Sequence, residues 1–222
     1  MTATPGTLKL QTIVVLGASG NGMLMAESVE RLPGARLAGF LDDAYAAVGS
    51  RFDLPVLGRL QDWPSLPEDV LFLNSLYAAK KMRGYHETVQ SLGIPAERWA
   101  TVVDPHAVLS PRAQVGGGVY VGPGVIVLPQ VVLEDHVCVL GNSYMAHDCH
   151  LERYACCANS VSLTGNVHIQ TGAYLGANVS VRVGLQIGAF STVGMGAVVL
   201  TDIPSGEVWA GSPARRLRTA EG

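Results

Sequence analysis

The fold is decided by residues 119–139, which read VYVGPG, VIVLPQ, VVLEDH and VCV when they are divided into groups of six. The third residue of every group is a large aliphatic residue, and the first is a branched one. The same spacing extends in both directions, because counting by six from Val103 to Val199 meets an apolar residue at each of seventeen steps. About half of the residues in an ordinary protein are apolar, so a run of this length does not arise by chance.

A period of six fits neither the 3.6-residue turn of a helix nor the simple alternation of a strand. It predicts a three-sided coil, in which each group forms one short side and one corner and three groups complete a turn. The aliphatic residues point inward, and neighbouring coils stack about 4.8 Å apart through main-chain hydrogen bonds. Asn142, Ser160 and Asn178 are spaced by 18 residues and are expected to stack at one corner. A β-sandwich would instead need turn signals every 8–12 residues without a fixed period.

The first hundred residues show strands alternating with helices. Strands are predicted at 12–16, 36–41 and 69–73, and helices at about 23–31 and 77–92. This alternation predicts a small α/β domain with a parallel sheet of Rossmann type. The chain is therefore divided into an α/β domain over residues 1–100 and an all-β parallel β-helix with a C-terminal tail over residues 101–222.

A glycine-rich loop with the spacing G-x-x-G-x-G occupies residues 17–22. Such a loop lets a ligand approach the backbone closely, and the helix N-terminus behind it favours an anion. Asp42 lies 20 residues after Gly22, where a ribose-binding acid is expected. The domain is about half the size of a dinucleotide fold, which predicts a site for one nucleotide or a phosphorylated sugar. The alternative is a tight turn that only packs the domain against the β-helix.

Composition excludes several classes of protein. Hydrophobic residues make up 48% and charged residues 15% of the chain, the net charge is −3, and no run of Lys or Arg occurs. Neither a nucleic-acid surface nor a membrane surface is expected. The first residues lack the pattern of a signal peptide, and the four cysteines form no CxxC pair, so a cytoplasmic protein with reduced thiols is predicted. A zinc site made of Cys156, Cys157 and His147 or His150 is an alternative.

Six short motifs occur in a fixed order along the chain. They are LGASG at 16–20, FLDD at 40–43, DPHA at 104–107, HDC at 147–149, GNV at 165–167 and AGSPA at 210–214. With these motifs the chain resembles the hexapeptide-repeat sugar acyltransferases of the sialic-acid O-acetyltransferase type. Within that group it is most similar to the bacterial enzymes that N-acetylate UDP- or dTDP-linked 4-amino sugars. The resemblance covers nearly the whole chain.

The resemblance implies a left-handed β-helix and a homotrimer whose active sites lie between subunits. It further implies that His147 is the general base and that Asp148 orients it. No metal is predicted. Acetyl-CoA would lie along the later coils, and a nucleotide sugar would bind the N-terminal domain. The residues implied for acetyl-CoA are Cys156, Gly165 and Ala177, and those implied for the sugar nucleotide are Ser19, Gly20, Asn21, Asp42, Asp43 and Asn74.

Three positions depart from the family pattern. Asn21 and Cys156 each stand where relatives often carry histidine, and Asn74-Ser75 replaces a glycine-rich turn. These departures bear on the identity of the substrate more than on the reaction class.

Acyl transfer from a thioester requires a base for the nucleophile and a donor for the oxyanion. Imidazole exchanges protons near neutral pH, and a neighbouring carboxylate fixes its tautomer. The main-chain N–H of Gly165 is the candidate oxyanion donor. Cys156 could carry the acyl group, although direct attack by the substrate needs no enzyme thiol, and a small apolar filler is the other interpretation.

Four functions remain open from the sequence. The first is N-acylation of a nucleotide-linked 4-amino sugar, and the second is O-acylation of a sugar hydroxyl such as that of a sialic acid. The third is a non-catalytic β-helix binding protein, and the fourth is an NAD-dependent enzyme. The adjacent His147-Asp148 pair favours the first two.

Overall fold

A computed structural model describes residues 10–79 and 81–220 of the chain. Within those residues, no helix has the length and apolar character required to cross a bilayer. The N-terminal unit comprises β1 (Gln11–Leu16), α1 (Gly20–Arg31), β2 (Ala35–Leu41), β3 (Ser50–Arg51), β4 (Leu54–Gly58), a 3-10 helix (Leu60–Ser65), β5 (Leu71–Asn74), α2 (Met82–Ser91) and a second 3-10 helix (Ala96–Arg98).

The sheet of the N-terminal unit has the strand order β3-β4-β2-β1-β5. Strands β4, β2, β1 and β5 are parallel, as the alternation of strands and helices predicts, and only β3 runs antiparallel to its neighbour. The β3–β4 hairpin is absent from the prediction because its first strand has only two residues. The second helix begins at Met82 rather than near residue 77.

Short strands follow one another at intervals of six residues through the second half of the chain. They are β6 (Val102–Val103), β7 (Val108–Leu109), β8 (Gln114–Val115), β9 (Tyr120–Val121), β10 (Ile126–Val127), β11 (Val132–Leu133), β12 (Cys138–Val139), β13 (Tyr144–Met145), β14 (His150–Leu151), β15 (Cys156–Cys157), β16 (Ser162–Leu163), β17 (His168–Ile169), β18 (Tyr174–Leu175), β19 (Ser180–Val181), β20 (Gln186–Ile187), β21 (Thr192–Val193) and β22 (Val198–Val199). A hairpin of β23 (Glu207–Ala210) and β24 (Arg215–Thr219) completes the described part.

Each short strand pairs in parallel with the strands 18 residues away, so that Cys138 lies opposite Cys156 and Tyr144 opposite Ser162. The pairing produces three sheets, which form the faces of a prism. The first face holds β6, β9, β12, β15, β18, β21, β23 and β24; the second holds β7, β10, β13, β16, β19 and β22; the third holds β8, β11, β14, β17 and β20. The predicted three-sided parallel β-helix is therefore confirmed.

The interior of the prism consists of the aliphatic residues that the period of six selects. Those from Val121 to Val199 are buried, whereas Val103, Leu109 and Val115 are half-buried, because they belong to the first coil. Burial of apolar side chains stabilises such a stack by roughly 25 cal/mol for each Å² removed from water.

The corners of the prism require a left-handed backbone conformation. Asn142, Ser160 and Asn178 occupy the same corner in successive coils, each with φ of 60°. Gly124 and Gly196 continue this column with φ of 69°. Asn and Gly tolerate this conformation better than most residues, so the predicted stacking has a backbone cause.

The first face of the prism packs against the N-terminal unit. Tyr120, Cys138 and Cys156 on this face are buried in one apolar cluster with Val15 and Met25 of the N-terminal unit. The two units thus share a continuous core along one of the three faces.

The division between the units lies close to residue 100. Trp99 forms a bridge to Phe72 of the N-terminal sheet, whereas Val102 pairs with Tyr120 of the prism. We therefore propose the predicted division into residues 1–100 and 101–222, of which residues 1–9 and 221–222 lie outside the described part.

A buried carboxylate connects the two units at this junction. Asp104 accepts hydrogen bonds from Ser28 Oγ (2.7 Å) and Arg31 Nη2 (2.8 Å) of α1 and from the main-chain N–H of His106 (2.9 Å). Tyr120 Oη lies 2.9 Å from Ser28 Oγ. Burial alone would raise the pKa of Asp104, but these hydrogen bonds outweigh it and hold the pKa well below its ordinary value.

We expect Asp104→Asn to lower the free energy of unfolding by about 2–3 kcal/mol at pH 7, because bonds to an ionised acceptor are lost. A depressed pKa stabilises the fold above the unfolded value of about 4, and this contribution disappears as the pH falls toward the folded value. The difference between wild type and variant should therefore shrink below about pH 4. Denaturant titrations at several pH values measure it, with the exposed Asp69→Asn as control. A difference that stays constant down to pH 2 would contradict this assignment.

Candidate active site

His147 and Asp148 form a corner of the prism, between β13 on the second face and β14 on the third. Asp148 has a φ of 60°, as do the other left-handed residues that turn the coil. Their side chains are 58% and 49% exposed. The position at an exposed corner agrees with the place of these residues in their hexad.

The imidazole of His147 is oriented by its neighbour. Nδ1 of His147 lies 2.7 Å from Oδ2 of Asp148. A carboxylate can only accept a hydrogen bond, so Nδ1 carries the hydrogen and Nε2 of the neutral ring keeps its lone pair. The pair therefore presents a proton acceptor to solvent.

Gly165 lies one coil beyond His147, directly beneath the imidazole. A Cβ atom built on Gly165 would come within 2.7 Å of Cε1 and 2.8 Å of Nε2 of His147. Any side chain at this position would displace the ring. Gly165 is not among the residues with a left-handed backbone conformation, so its φ angle does not require glycine. Glycine is required at this position because a side chain would collide with His147.

Cys156 does not occupy a ligand-accessible position. Its side chain is fully buried between the first face and the N-terminal unit. A hydrogen bond with Cys138 and burial raise the pKa of the Cys156 thiol well above its ordinary value, which keeps the sulfur protonated and unreactive. The predicted contact with coenzyme A is thus not supported within the protomer, and neither is an acyl-carrying role. The apolar-filler interpretation agrees with the structure.

Ala177 also lies apart from His147. It follows β18 at the corner between the first and second faces. There it packs against the seam, which is the apolar cluster that the first face shares with the N-terminal unit. A single chain therefore brings His147, Asp148 and Gly165 together, but not Ala177.

A pocket of about 330 Å³ lies in the N-terminal unit, at the carboxyl ends of β1 and β5. Gly22 at the start of α1 permits the loop to close tightly, because a Cβ there would lie 2.1 Å from the carbonyl oxygen of Gly17. The Ser19 side chain makes no capping bond to α1, and the first turn holds no acidic residue. This arrangement leaves a helix N-terminus suited to an anion. The lining residues are Gly17, Ser19, Gly20, Asn21, Asp42, Ser75, Leu76, Tyr77, Ala78 and Tyr85.

Two of the four predicted acidic and amide ligands face elsewhere. Asp43 accepts a hydrogen bond from the N–H of Leu60 (3.0 Å) and does not line the pocket. Asn74 is buried beneath the following turn, where its Oδ1 accepts from the N–H of Leu76 (3.0 Å). Asn74 thus shapes the turn and does not reach the pocket.

Asp42 does line the pocket, but its carboxylate also forms hydrogen bonds with the backbone of the N-terminal unit. Its Oδ2 accepts a hydrogen bond from the N–H of Ala18 (2.7 Å), and its Oδ1 accepts one from Ala44 (2.8 Å). The carboxylate therefore holds the glycine loop against the end of β2.

The sequence did not reveal the wall of the pocket at residues 75–78, or Tyr85 on α2. A positional signal was present, because these residues follow β5 at its carboxyl end, the edge where open parallel sheets bind ligands. The predicted helix from residue 77 concealed it.

The zinc alternative finds no supporting geometry. Within residues 10–79 and 81–220, no three or more His, Cys, Asp or Glu residues are grouped to hold a metal ion. Cys157 is buried in the prism core, and His150 Nε2 lies 2.7 Å from Oε1 of Glu134.

Comparisons with known proteins agree with this fold, although no family model matches the chain. The acetyltransferase domain of PglB from Neisseria gonorrhoeae FA1090, in complex with acetyl coenzyme A, superposes with a TM-score of 0.83 at 30% identity, covering 93% of this chain and 99% of that chain. A UDP-3-O-acylglucosamine N-acyltransferase from a Caulobacter species is 33% identical over 75 residues, 34% of this chain and 22% of that protein.

A third relative, from Alkalilimnicola ehrlichii, is named as an acyl-[acyl-carrier-protein]–UDP-N-acetylglucosamine O-acyltransferase. It is 37% identical over 71 residues, 32% of this chain and 28% of that protein. The chain spans less than a third of the length of these two curated relatives.

The three-sided β-helix superposes on an acetyltransferase domain that binds acetyl coenzyme A, and this likeness defines the class as a coenzyme A-dependent acyltransferase. The structural neighbours are left-handed β-helices, in agreement with the winding that the resemblance implies. The chain belongs to the hexapeptide-repeat family of sugar acyltransferases.

We expect Gly165→Ala to slow acetyl transfer about 10- to 100-fold while the unfolding temperature stays close to that of wild type. The backbone accepts alanine, but the new methyl group displaces the imidazole of His147, and small displacements of a reacting group are costly. Thiol release from acetyl-CoA measures the rate. Gly84→Ala is the matched control, because a Cβ at Gly84 meets no atom within 4 Å. Equal rates for both variants would show that the space above Gly165 is not needed.

Proposed function

We propose that the protein transfers the acetyl group of acetyl-CoA to the amino group of a nucleotide-linked 4-amino-deoxy sugar, with His147 as general base. The observation that carries this proposal is the 2.7 Å contact between His147 Nδ1 and Asp148, at an exposed corner of a chain from this family. The proposed sugar-nucleotide site is the pocket lined by Ser19, Gly20 and Asn21.

The proton path follows from the tautomer of His147. As the amine nitrogen bonds to the thioester carbonyl carbon, Nε2 of His147 accepts the proton that the nitrogen loses. Asp148 stabilises the imidazolium that forms. When the carbon–sulfur bond breaks, Nε2 returns the proton to the departing sulfur. The main-chain N–H of Gly165 donates to none of the described groups. It is therefore suited to donate a hydrogen bond to the carbonyl oxygen as negative charge develops there.

The choice of acceptor rests on the pocket and on the curated relatives. The pocket contains the N-terminus of α1 with the polar side chains of Ser19 and Asn21, which suits the phosphates of a nucleotide. The Caulobacter relative is named for N-acylation of a UDP-linked amino sugar. The Alkalilimnicola relative is named for O-acylation, so transfer to a sugar hydroxyl is the second candidate. Membership of an acyltransferase family speaks against the non-catalytic and NAD-dependent alternatives.

The placement of the two sites favours a homotrimer with active sites between subunits. The N-terminal unit covers the first face, whereas the His147 corner joins the second and third faces and lies opposite to it. A sugar held in the pocket of one subunit would therefore meet the histidine of a neighbour. Exposed Val108, Ile126 and Tyr144 stand in register on the second face, next to that corner, and form an apolar stripe suited to a subunit contact.

We expect His147→Ala to reduce acetyl transfer about 10²- to 10⁴-fold, the usual contribution of a general base, without loss of coenzyme A binding. His106→Ala is the matched control, because His106 is also an exposed imidazole on a carboxylate, 3.0 Å from Asp104. The assay follows thiol release and product mass with UDP- and dTDP-linked 4-amino sugars, beside free sialic acid. Full activity of His147→Ala would remove the mechanism. Turnover of sialic acid alone would favour the O-acylation candidate.

A further inference from the structure

The wall of the pocket, residues 75–78, continues directly into Ala79, and this segment of residues 75–79 is attached to the glycine loop. The hydroxyl of Ser75 shares its hydrogen between the carbonyls of Leu16 (2.7 Å) and Gly17 (3.0 Å). Nδ2 of Asn21 donates to the carbonyl of Tyr77 (3.0 Å). These bonds join the two segments that line the pocket. The wall and the loop therefore behave as one body around whatever the pocket holds.

The same wall is attached to the prism by two side-chain hydrogen bonds. The Tyr77 hydroxyl donates to the carbonyl of His136 (2.6 Å), and the Thr192 hydroxyl donates to the carbonyl of Ala79 (3.1 Å). His136 stands at the corner between the third and first faces, whereas Thr192 lies in β21, about three coils further along the axis. Two points along the axis are enough to define the direction of the wall on the prism.

These bonds differ in kind from most of the seam. Apolar packing, which makes up the shared core, has no preferred direction. A hydrogen bond has a narrow range of lengths and angles. Tyr77 is buried in the seam, and burial raises the pKa of its phenol well above the ordinary value, so the hydroxyl stays protonated and remains a donor. The polar junction at Asp104 joins the prism to α1 rather than to this wall.

We propose that Tyr77 and Thr192 are positioning residues for the transfer reaction: through residues 75–79 they hold the acceptor pocket in one orientation on the prism. This inference rests on the proposed function, because the orientation matters only if an acceptor in the pocket must meet the acyl group at a His147 corner. Neither hydroxyl is assigned a contact with a reacting atom.

Tyr77→Phe tests the proposal, because it removes one oxygen and keeps the ring. We expect the maximal rate of acetyl transfer to fall about tenfold, since a slightly misplaced acceptor reacts slowly even when it is bound. The Kd values for coenzyme A and for the accepted nucleotide sugar should stay within twofold of wild type. Thr192→Val should lower the rate in the same way, and Thr192→Ser, which keeps the hydroxyl, should restore it.

Tyr174→Phe is the matched control. Tyr174 also lies on the first face and packs partly buried against the seam, and its hydroxyl forms no hydrogen bond with the described residues. Its removal should leave the rate unchanged. A Tyr77→Phe variant as fast as Tyr174→Phe would overturn the proposal. The proposal would also be overturned if Tyr77→Phe lost thermal stability together with affinity for both coenzyme A and the nucleotide sugar. That result would indicate a purely structural role for the Tyr77 hydroxyl.

Hydrogen–deuterium exchange separates this inference from the proposed function. If the wild-type protein transfers acetyl to none of the tested acceptors, the proposed function fails, and the attachment of the wall is still measured by exchange. Faster exchange of residues 75–79 in Tyr77→Phe than in Tyr174→Phe would support the positioning role. Equal exchange in the two variants would overturn it.

Discussion

Main-chain hydrogen bonds between strands that stand 18 residues apart, together with the aliphatic side chains stacked inside them, hold the prism together. Every short strand is too small to be stable alone, and each acquires partners only from the coils before and after it. An insertion of one residue would move inward side chains to the surface in every later coil. The unbroken hexads from Val103 to Val199 satisfy this constraint without exception.

The same constraint places the chemistry. Once the register is set, residues 147 and 165 must lie one above the other, and the imidazole has room only because position 165 is glycine. The corner also needs a left-handed residue, and Asp148 fills that position with φ of 60°. Asp148 thus supplies the left-handed turn that the corner needs, and its carboxylate also orients the imidazole of His147, the proposed base.

The prism could be predicted from the sequence because its period is fixed over many repeats. The hexads place His147 and Asp148 at a corner and the aliphatic residues inside. They do not distinguish the three outward faces from one another. The resemblance assigned Cys156 to acetyl-CoA, and the hexads gave no sign that its face is the one that the N-terminal unit covers.

The N-terminal unit was predictable in its larger elements only. Its parallel strands and its glycine loop follow from local sequence, and Ser19, Gly20 and Asn21 do line the pocket. The direction of a loop side chain depends on partners that are remote in sequence. Asp43 turns toward Leu60, which no local pattern indicates.

The most direct measurement is a crystal structure of the protein with coenzyme A bound. The central claim places the proposed base, His147, at a corner shared by neighbouring subunits. Reacting atoms in a productive arrangement lie about 3–3.5 Å apart, which is the separation expected between the coenzyme A sulfur and Nε2 of His147. The predicted result is a coenzyme A sulfur beside Nε2 of His147, at a boundary between two subunits, with a pocket of the N-terminal unit opening toward it. Coenzyme A bound at a different corner, or His147 remote from every subunit boundary, would contradict the claim.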